Sequence, residues 1–192
     1  MKKLLTVLAL LFLVNYSMAQ AAIWKADPMH SKLTFIVTHK GFSSIFGLFQ
    51  KFDAAVTSSK ADFSDAVFTL TADVASINTE VKMRDDDLRS ANFFEVAKYP
   101  VMTFKSLSVR NTTGMKDRFK ITGELTLHGV TKTVVLDVWF RGTIVDAKSN
   151  KTKSGFQIKG VIDRSDFNVG PAAPFEISTD VLITADGEFV RQ

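Results

Sequence analysis

The stretch DRFKITGELTLHGVTKTVVLDVWFRG, residues 117–142, decides the fold. In its first half, apolar residues and Gly123 alternate with polar residues from Phe119 to Leu127. In its second half, the same alternation runs from Val134 to Phe140. Alternation with a period of two is typical of a β-strand with one buried face. The stretch therefore predicts two antiparallel strands joined by a hairpin turn next to Gly129.

The same alternation recurs along most of the chain. It is found in the segments KLTFIVTH (32–39), FQKFDAAV (49–56), AVFTLTADV (66–74), VMTFKSLSV (101–109), GFQIKGVID (155–163) and VLITADGEFV (181–190). Eight strands of this kind favour an antiparallel sheet with a solvated outer face, and closing the sheet into a barrel removes its exposed edges. A plain β-sandwich with an ordinary core is the alternative. Gly123 and Gly160 fall on inward faces, where they are predicted to kink a strand or to leave room inside.

Two segments interrupt the strand pattern. Residues 79–95 predict a short helix and a loop, with Asn78 or Thr79 as the N-cap. The run Asp85–Asp87 is interpreted as a solvated helix face because it lacks the spacing of a calcium-binding loop. The segment HKGFSSIFGLF, residues 39–49, is interpreted as an irregular loop whose aromatic side chains need cover.

The N-terminus predicts export. A basic start at Lys2 and Lys3 precedes an eleven-residue apolar run, Leu4–Val14, and small residues follow it. This layout is typical of a secretory signal peptide, residues 1–19 or 1–21. The run is shorter than the roughly 20 residues of a membrane span. We expect one domain over residues 22–192, without an integral membrane segment, in the periplasm or alternatively secreted.

Composition narrows the functional classes. Without Lys2 and Lys3 the chain keeps 22 basic and 20 acidic residues, a net charge of +2, which argues against nucleic acid as a partner. There is no cysteine, so neither disulfides nor cysteine-based zinc sites are possible. The chain has 17 phenylalanines. Phenylalanine brings a large apolar area without a polar group, which suits a wide core or a hydrophobic cavity.

The polar residues do not form a recognisable catalytic set. His30, His39 and His128 lack zinc-site spacing, and His128 is expected to be exposed at a hairpin turn, so neither a metal nor a cofactor is predicted. Asp163, Arg164 and Asp166 are expected to form a local salt-bridge network. No nucleophile elbow, phosphate loop or dinucleotide fingerprint is present, and no enzymatic activity is predicted. The alternative is a hydrolase that uses carboxylates such as Asp85 and Asp166 at the rim of the barrel.

Four motifs resemble those of one family. They are WKADPMHSKLTFIVTHKGFSSIFGLFQKF (24–52), ASINTEVKMRDDDLRSANFFEVAKYPVMTF (75–104), GELTLHGVTKTV (123–134) and IDRSDF (162–167). In this order they resemble the YceI-like family over essentially the whole chain. The chain departs from the family pattern at Asn78 (usually Asp), Asp87 (usually His), Asn92 (usually Asp) and Asn168 (usually Gly). Because Asp87 replaces the family histidine, a contact of that histidine with a ligand head group is not carried over to this chain.

The resemblance implies a lipocalin-like, eight-stranded antiparallel barrel that binds a long-chain isoprenoid lipid, either a polyisoprenoid or an isoprenoid-quinone-like molecule. It implies sequestration or transport rather than catalysis, and it leaves a homodimer open. Inward strand positions and the aromatic residues of the two irregular segments are predicted to bind the lipid: Phe35, Val37, Phe42, Phe46, Phe52, Phe68, Leu70, Phe93, Phe94, Phe104, Phe119, Ile121, Leu125, Leu136, Val138, Phe156 and Ile158. Phe93 and Phe94 are expected to pack into the mouth of the barrel or onto the ligand, and Phe42 and Phe46 likewise.

Overall fold

The fold consists almost entirely of β-strands in a computed structural model that describes residues 20–171 and 176–192. The strands are β1 (Ala22–His39), β2 (Ser43–Phe49), β3 (Phe52–Ser58), β4 (Val67–Asp73), β5 (Ile77–Asn78), β6 (Val101–Asn111), β7 (Arg118–Leu127), β8 (Val130–Val145), β9 (Thr152–Asp163) and β10 (Ile177–Arg191). The helix α1 is Lys82–Arg89, and short 3-10 helices are Val74–Ser76 and Arg164–Phe167. The predicted signal peptide, residues 1–19, lies outside the described residues.

Eight of these strands close into an antiparallel barrel. Neighbours follow the order β1, β3, β4, β6, β7, β8, β9 and β10, and β10 returns to β1. The closing pair is long, with Trp24 opposite Arg191 at one end and His39 opposite Ile177 at the other. This closure confirms the predicted eight-stranded barrel, because a two-sheet sandwich would leave the sheets unjoined. It also pairs the outer strands, which removes the exposed edges.

Residues 39–49 are not the irregular loop that the sequence suggested. Only Lys40–Phe42 form a turn, and Ser43–Phe49 is strand β2, which pairs with the C-terminal half of β1. The N-terminal half of β1 pairs with β3 instead, so β3 and β2 lie one after the other along the same side of β1. Gly47 explains why the strand was hard to recognise. It lies opposite Phe35, and a Cβ at Gly47 would be 2.2 Å from Cζ of the Phe35 ring.

The inward glycines Gly123 and Gly160 make room for side chains of neighbouring strands. A Cβ at Gly123 would lie 2.5 Å from Cζ of Phe104, and one at Gly160 would lie 2.3 Å from Cδ2 of Leu136. Neither distance is compatible with a real Cβ contact. The room that these glycines leave is thus occupied by Phe104 and Leu136.

The helix α1 begins later than predicted and has a different cap. Its N-cap is Val81, which makes no side-chain capping bond, rather than Asn78 or Thr79. Asp85 reaches back instead and accepts hydrogen bonds from the backbone N (2.8 Å) and the Oγ1 (2.5 Å) of Thr79. Asp85 is therefore buried, at 6% exposure, and the prediction that it is solvated was wrong. Asp86 is exposed as expected and pairs with Lys82 at 2.5 Å.

One end of the barrel, which we call the closed end, is filled by aromatic rings. Phe63, in the connection between β3 and β4, is 1% exposed. Its ring centroid lies 4.9 Å from those of Phe140 and Phe156 and 5.4 Å from that of Trp24. Edge-to-face packing of this kind adds to the energy of burial. Phe63 and these three rings therefore fill this end of the core.

Candidate ligand-binding cavity

The other end of the barrel, which we call the open end, contains a cavity of about 240 Å³. Strands β1, β2, β3, β4 and β6 to β10 contribute to its wall, and α1 with the segment that follows it borders its mouth. Most of the lining side chains are apolar because each strand turns its apolar face inward. Phe68, Phe156 and Phe189 line the cavity, and Phe156 packs on the other two rings. Phe156 also packs on Phe63, so it joins the cavity wall to the filled closed end.

Most of the predicted site residues line this cavity. These are Phe35, Val37, Phe52, Phe68, Leu70, Phe93, Phe94, Phe104, Leu125, Leu136, Phe156 and Ile158. They form much of the cavity wall, and their contact with a lipid stays a prediction.

Five predicted residues lie elsewhere. Phe119, Ile121 and Val138 are buried outside the cavity wall and belong to the core. Phe42 and Phe46 are 84% and 65% exposed, so their rings do not cover the mouth as expected. Phe42 is the last residue of a tight turn, and Phe46 points outward because it neighbours the inward Ile45 along β2.

Strand β10 supplies lining residues that the sequence interpretation did not assign. Ile177, Val181, Ile183, Ala185 and Phe189 all contribute to the wall. The sequence does contain the pattern that would have identified them, because these apolar positions are spaced by even numbers along a strand and so share one face. Leu33, Ile45 and Phe49 were also missed, the last two because residues 39–49 were interpreted as a loop.

Phe93 and Phe94 both line the cavity but differ in their surroundings. Phe93 is 9% exposed and belongs to the core, with its ring against Gly170, where a Cβ would lie 2.6 Å from it. Phe94 is half-buried, and its ring lies edge-on to that of Phe49 with the centroids 6.2 Å apart. Backbone hydrogen bonds hold the segment against the end of α1, including Phe94 N to Leu88 O at 3.0 Å.

Polar side chains enter the lining at α1 and beside it. Arg84 donates from Nε to Oγ1 of Thr79 (2.7 Å) and from Nη2 to its carbonyl oxygen (2.6 Å). Asp87 accepts from Nδ2 of Asn92 at 2.7 Å and also from the Ser90 hydroxyl. Thr79, Arg84 and Asp87 all contribute to the cavity lining. The mouth thus carries both signs of charge.

Arg164 does not form the salt-bridge network that was predicted with Asp163 and Asp166. It is 5% exposed and donates to four backbone carbonyls, those of Val169, Pro171, Ile177 and Ser178. The carboxylate of Asp163 faces its own 3-10 helix instead.

Hydrogen bonds define the environment of Asp163. Its Oδ1 accepts from the hydroxyl (2.6 Å) and the backbone N (2.8 Å) of Ser165. These hydrogen bonds hold the pKa of Asp163 below its ordinary value. Asp163 thus caps the 3-10 helix, and Asp166 is exposed. Asp85 is thus engaged by Thr79, whereas Asp166 faces water.

The histidines have separate structural environments. His128 is not exposed, contrary to the prediction, because its ring packs edge-on against Tyr99 with the centroids 4.4 Å apart. Its Nδ1 lies 3.1 Å from the carbonyl oxygen of Phe167, so this nitrogen is the donor of that hydrogen bond. His39 ends β1, and His30 lies within the same strand.

His30 belongs to a charged cluster on the outer surface. Its Nδ1 is 2.8 Å from Asp27, and this hydrogen bond lowers the pKa of Asp27. Asp27, His30 and Glu188 place their ligand-type atoms within 4.8 Å of one another. Lys153 lies 2.9 Å from Glu188 and 3.9 Å from Asp27, and the hydrogen bond to Glu188 raises the pKa of Lys153. Lys153 therefore places a positive charge beside the two carboxylates of this cluster.

No helix among residues 20–171 and 176–192 combines the length and apolar character required to cross a membrane. A model of the YceI-like domain matches residues 24–189. A UPF0312 protein of Pectobacterium carotovorum is 36% identical over 197 residues, which cover 100% of this chain and 98% of the relative. Protein YceI of Escherichia coli is 36% identical over 175 residues, 88% of each chain.

Solved structures share the fold. The crystal structure of BcnA from Burkholderia cenocepacia matches with a TM-score of 0.75 and 26% identity, over 87% of this chain and 99% of BcnA. A polyisoprenoid binding domain from Saccharophagus degradans matches with a TM-score of 0.61 and 21% identity, over 90% of this chain and 100% of the domain. At that identity the second likeness shows the common barrel alone.

Proposed function

The chain belongs to the YceI-like family, and we propose that it is an exported protein that holds the hydrocarbon chain of a polyisoprenoid or isoprenoid-quinone-like lipid inside its barrel. The observation that carries this proposal is the apolar cavity at the open end of the barrel. Its wall offers aromatic and branched side chains and few polar ones. A dry cavity of this kind favours an apolar chain over water.

The free energy of burying an apolar chain is sufficient for binding without any catalysed reaction. Burial of one CH₂ group contributes about 0.8 kcal/mol, so one five-carbon isoprene unit contributes roughly 3 to 4 kcal/mol before ordering costs. A few units suffice for tight binding after the loss of translational freedom. The barrel therefore needs no cofactor and no catalytic group for this role, and carriage or storage of the lipid follows from binding alone.

The N-terminal segment supports export. A signal peptide that ends at residue 19 or 21 would be removed immediately before β1, which begins at Ala22. Cleavage at either position leaves every strand of the barrel intact. We propose the periplasm as the location, with secretion as the alternative.

Mass spectrometry of an organic extract of the protein, purified from the exported fraction, tests the proposal directly. We expect an isoprenoid lipid in stoichiometric amount. The matched variant is Ala54→Phe, because Ala54 lines the cavity and a ring there fills the space a lipid would occupy. Ala147→Phe, at an exposed position, is its control. Equal lipid content in folded Ala54→Phe and Ala147→Phe, or no lipid in the wild type and no uptake of added lipid, would refute binding in the barrel.

A further inference from the structure

The turn between β7 and β8 places a histidine against the segment that follows α1, residues 90–99, which we call the mouth segment. His128 and Gly129 both have a positive φ, 50° and 74°, as in the two-residue turns that usually carry asparagine and glycine. The His128 side chain is 14% exposed and its ring lies against that of Tyr99. A Cβ at Gly129 would lie 2.5 Å from Cε1 of the same tyrosine. The turn therefore packs closely on the mouth segment.

One ring nitrogen of His128 is buried without a partner. Nδ1 donates to the carbonyl oxygen of Phe167 at 3.1 Å, so in the neutral ring Nε2 carries a lone pair and no hydrogen. Nε2 is buried and has no hydrogen-bond partner among the described residues. Oε2 of Glu95 lies 3.8 Å from it. Two acceptors cannot bond to each other, and a buried acceptor without a partner costs free energy.

Protonation of the ring would turn this contact into a hydrogen bond. An imidazolium donates from both nitrogens, so Nε2 would donate to Glu95 while Nδ1 keeps its bond to Phe167. Charge-assisted bonds of this type have N–O distances of about 2.7 to 2.9 Å, so a movement of about 1 Å closes the gap. Histidine is the side chain whose charge ordinarily changes between about pH 5 and 8, where carboxylates are ionised. The contact is therefore expected to depend on pH in this interval.

The other charged groups around His128 do not replace Glu95. Lys98, also on the mouth segment, lies 3.8 Å from the same Glu95 oxygen and opposes a second positive charge, but it is 62% exposed and screened by water. The charged residues beside the turn and on the 3-10 helix that carries Phe167 are exposed or held by other hydrogen bonds: Lys132, Asp163, Arg164 and Asp166. Among the described residues, Glu95 is the carboxylate within 4.0 Å of a His128 nitrogen.

We propose that His128 and Glu95 form a pH-sensitive clamp, which holds the mouth segment more firmly against the barrel in acid than above neutral pH. Glu95 directly follows Phe94, the half-buried ring that borders the cavity. The clamp joins this segment to the turn after Leu127, which also lines the cavity. Because the held segment favours the protonated ring, protonation favours the held segment in return. This inference rests on the proposed function and concerns how fast a bound lipid leaves.

The release of a neutral lipid at several pH values tests the clamp on the intact protein. Stopped-flow release of a fluorescent isoprenoid alcohol, which does not itself titrate, is measured between about pH 5.5 and 8. We expect release to be about fivefold slower at the acidic end, since a charge-assisted hydrogen bond at a partly exposed position contributes about this much. NMR of the His128 ring without ligand should show the Nδ1–H tautomer above neutral pH and the imidazolium in acid.

Two substitutions should abolish the pH dependence at opposite rates. His128→Asn suits the positive φ of the turn but carries no charge, so release should stay fast at every pH. Glu95→Gln supplies an amide that donates to the neutral Nε2, so release should stay slow at every pH. A contact that only supports the fold would not give opposite rates. The matched control is His39→Asn, because His39 ends β1 opposite Ile177 at the open end but does not line the cavity, and it should keep the wild-type pH dependence.

The outcomes separate the clamp from lipid binding. Equal release at both ends of the pH range, or a pH dependence that survives in folded His128→Asn, overturns the clamp and leaves lipid binding intact. A His128 ring that stays neutral in acid, or that carries its hydrogen on Nε2 above neutral pH, overturns the clamp as well.

Failure of the wild type to bind the probe at any pH overturns lipid binding instead. The clamp is then decided without ligand, by hydrogen exchange of the amides of Lys98 and Tyr99, which donate to the carbonyl oxygen of Glu95 at 2.9 and 3.0 Å. After correction for intrinsic exchange, these amides should be better protected in acid in the wild type but not in His128→Asn. Equal protection at both pH values in the wild type overturns the clamp.

Discussion

Phe63 and Phe94 both lie in connections between strands, but they differ in burial and in the number of aromatic rings that surround them. Phe63 is 1% exposed and has three aromatic rings within 5.4 Å. Phe94 is half-buried, and Phe49, at 6.2 Å, is its aromatic neighbour among the described residues. At the closed end, the surrounding strands supply enough rings to enclose a loop phenylalanine. At the open end they leave a cavity beside it.

This difference separates stability from binding. A ring that is enclosed on all sides contributes to folding, whereas a ring that borders empty space is free to contact a ligand. The two connections are therefore expected to respond differently to the same substitution.

Phe63→Ala is expected to give the largest effect. Truncation of a fully buried phenylalanine removes apolar burial and leaves a cavity, and typically costs about 3 to 5 kcal/mol of unfolding free energy. Chemical denaturation followed by tryptophan fluorescence measures this, because Trp24, one of the two tryptophans, packs on Phe63. Release of a bound isoprenoid from the folded variant should be unchanged. A loss below about 1 kcal/mol would mean that the closed end repacks easily, and the contrast between the ends would fail.

Phe94→Ala is expected to give a smaller loss of stability, about 1 to 2 kcal/mol, because part of the ring is already in water. Its main effect should be faster release of a bound lipid, since a ring at the mouth slows escape. Stopped-flow release of a fluorescent isoprenoid, with thermal melting of the same samples, separates the two effects.

Two variants accompany Phe94→Ala. Phe93→Ala should resemble Phe63→Ala in stability, because Phe93 belongs to the core. Asp86→Ala should change stability and release little, because Asp86 is exposed and its ion pair with Lys82 is on the surface. If Phe94→Ala destabilises strongly and releases lipid at the wild-type rate, Phe94 is core and the mouth role is wrong.

The alternation of apolar residues was enough to predict the barrel. It placed most of β1, β3, β4 and β6 to β10, because a strand that buries one face repeats that pattern in its own residues. It failed at β2, where Gly47 occupies an inward position and its missing side chain is replaced by the ring of Phe35 from the neighbouring strand.

The site was predicted less completely, for a physical reason. Phe63 occupies a positive φ of 57° in a connection, and its partners Trp24, Phe140 and Phe156 are distant in the sequence. Arg164 was assigned to nearby carboxylates, but its partners are backbone carbonyls, which every residue carries. Neither arrangement leaves a local pattern, so only the three-dimensional structure reveals it.

Hydrogen bonds to Asp65 also hold the connection that carries Phe63, and we expect acid to weaken them. Asp65 accepts hydrogen bonds from the hydroxyls of Ser58 and Ser59 and from the backbone N of Ser59 (3.0 Å) and Lys60 (3.3 Å). Burial raises the pKa of Asp65, but these hydrogen bonds outweigh it and hold the pKa well below its ordinary value of 3.8. The ionised carboxylate therefore stabilises the fold.

Asp65→Asn is expected to give a smaller loss of stability than Phe63→Ala or Phe94→Ala, and this loss should depend on pH. Because the pKa in the folded state is lowered, the contribution of Asp65 is complete above the unfolded pKa, near 4, and is lost as the pH falls through the folded pKa. We expect Asp65→Asn to cost about 1 kcal/mol at pH 7, the usual cost of losing a capping carboxylate at an exposed position. The difference from the wild type should narrow steadily below about pH 4. Denaturant titrations of both proteins between pH 7 and the lowest pH at which they fold measure it, with Asp86→Asn as a surface control. A difference that stays constant over that range would show that the hydrogen bonds to Asp65 do not depend on its charge, and the closed end would then rest on the packing of Phe63 alone.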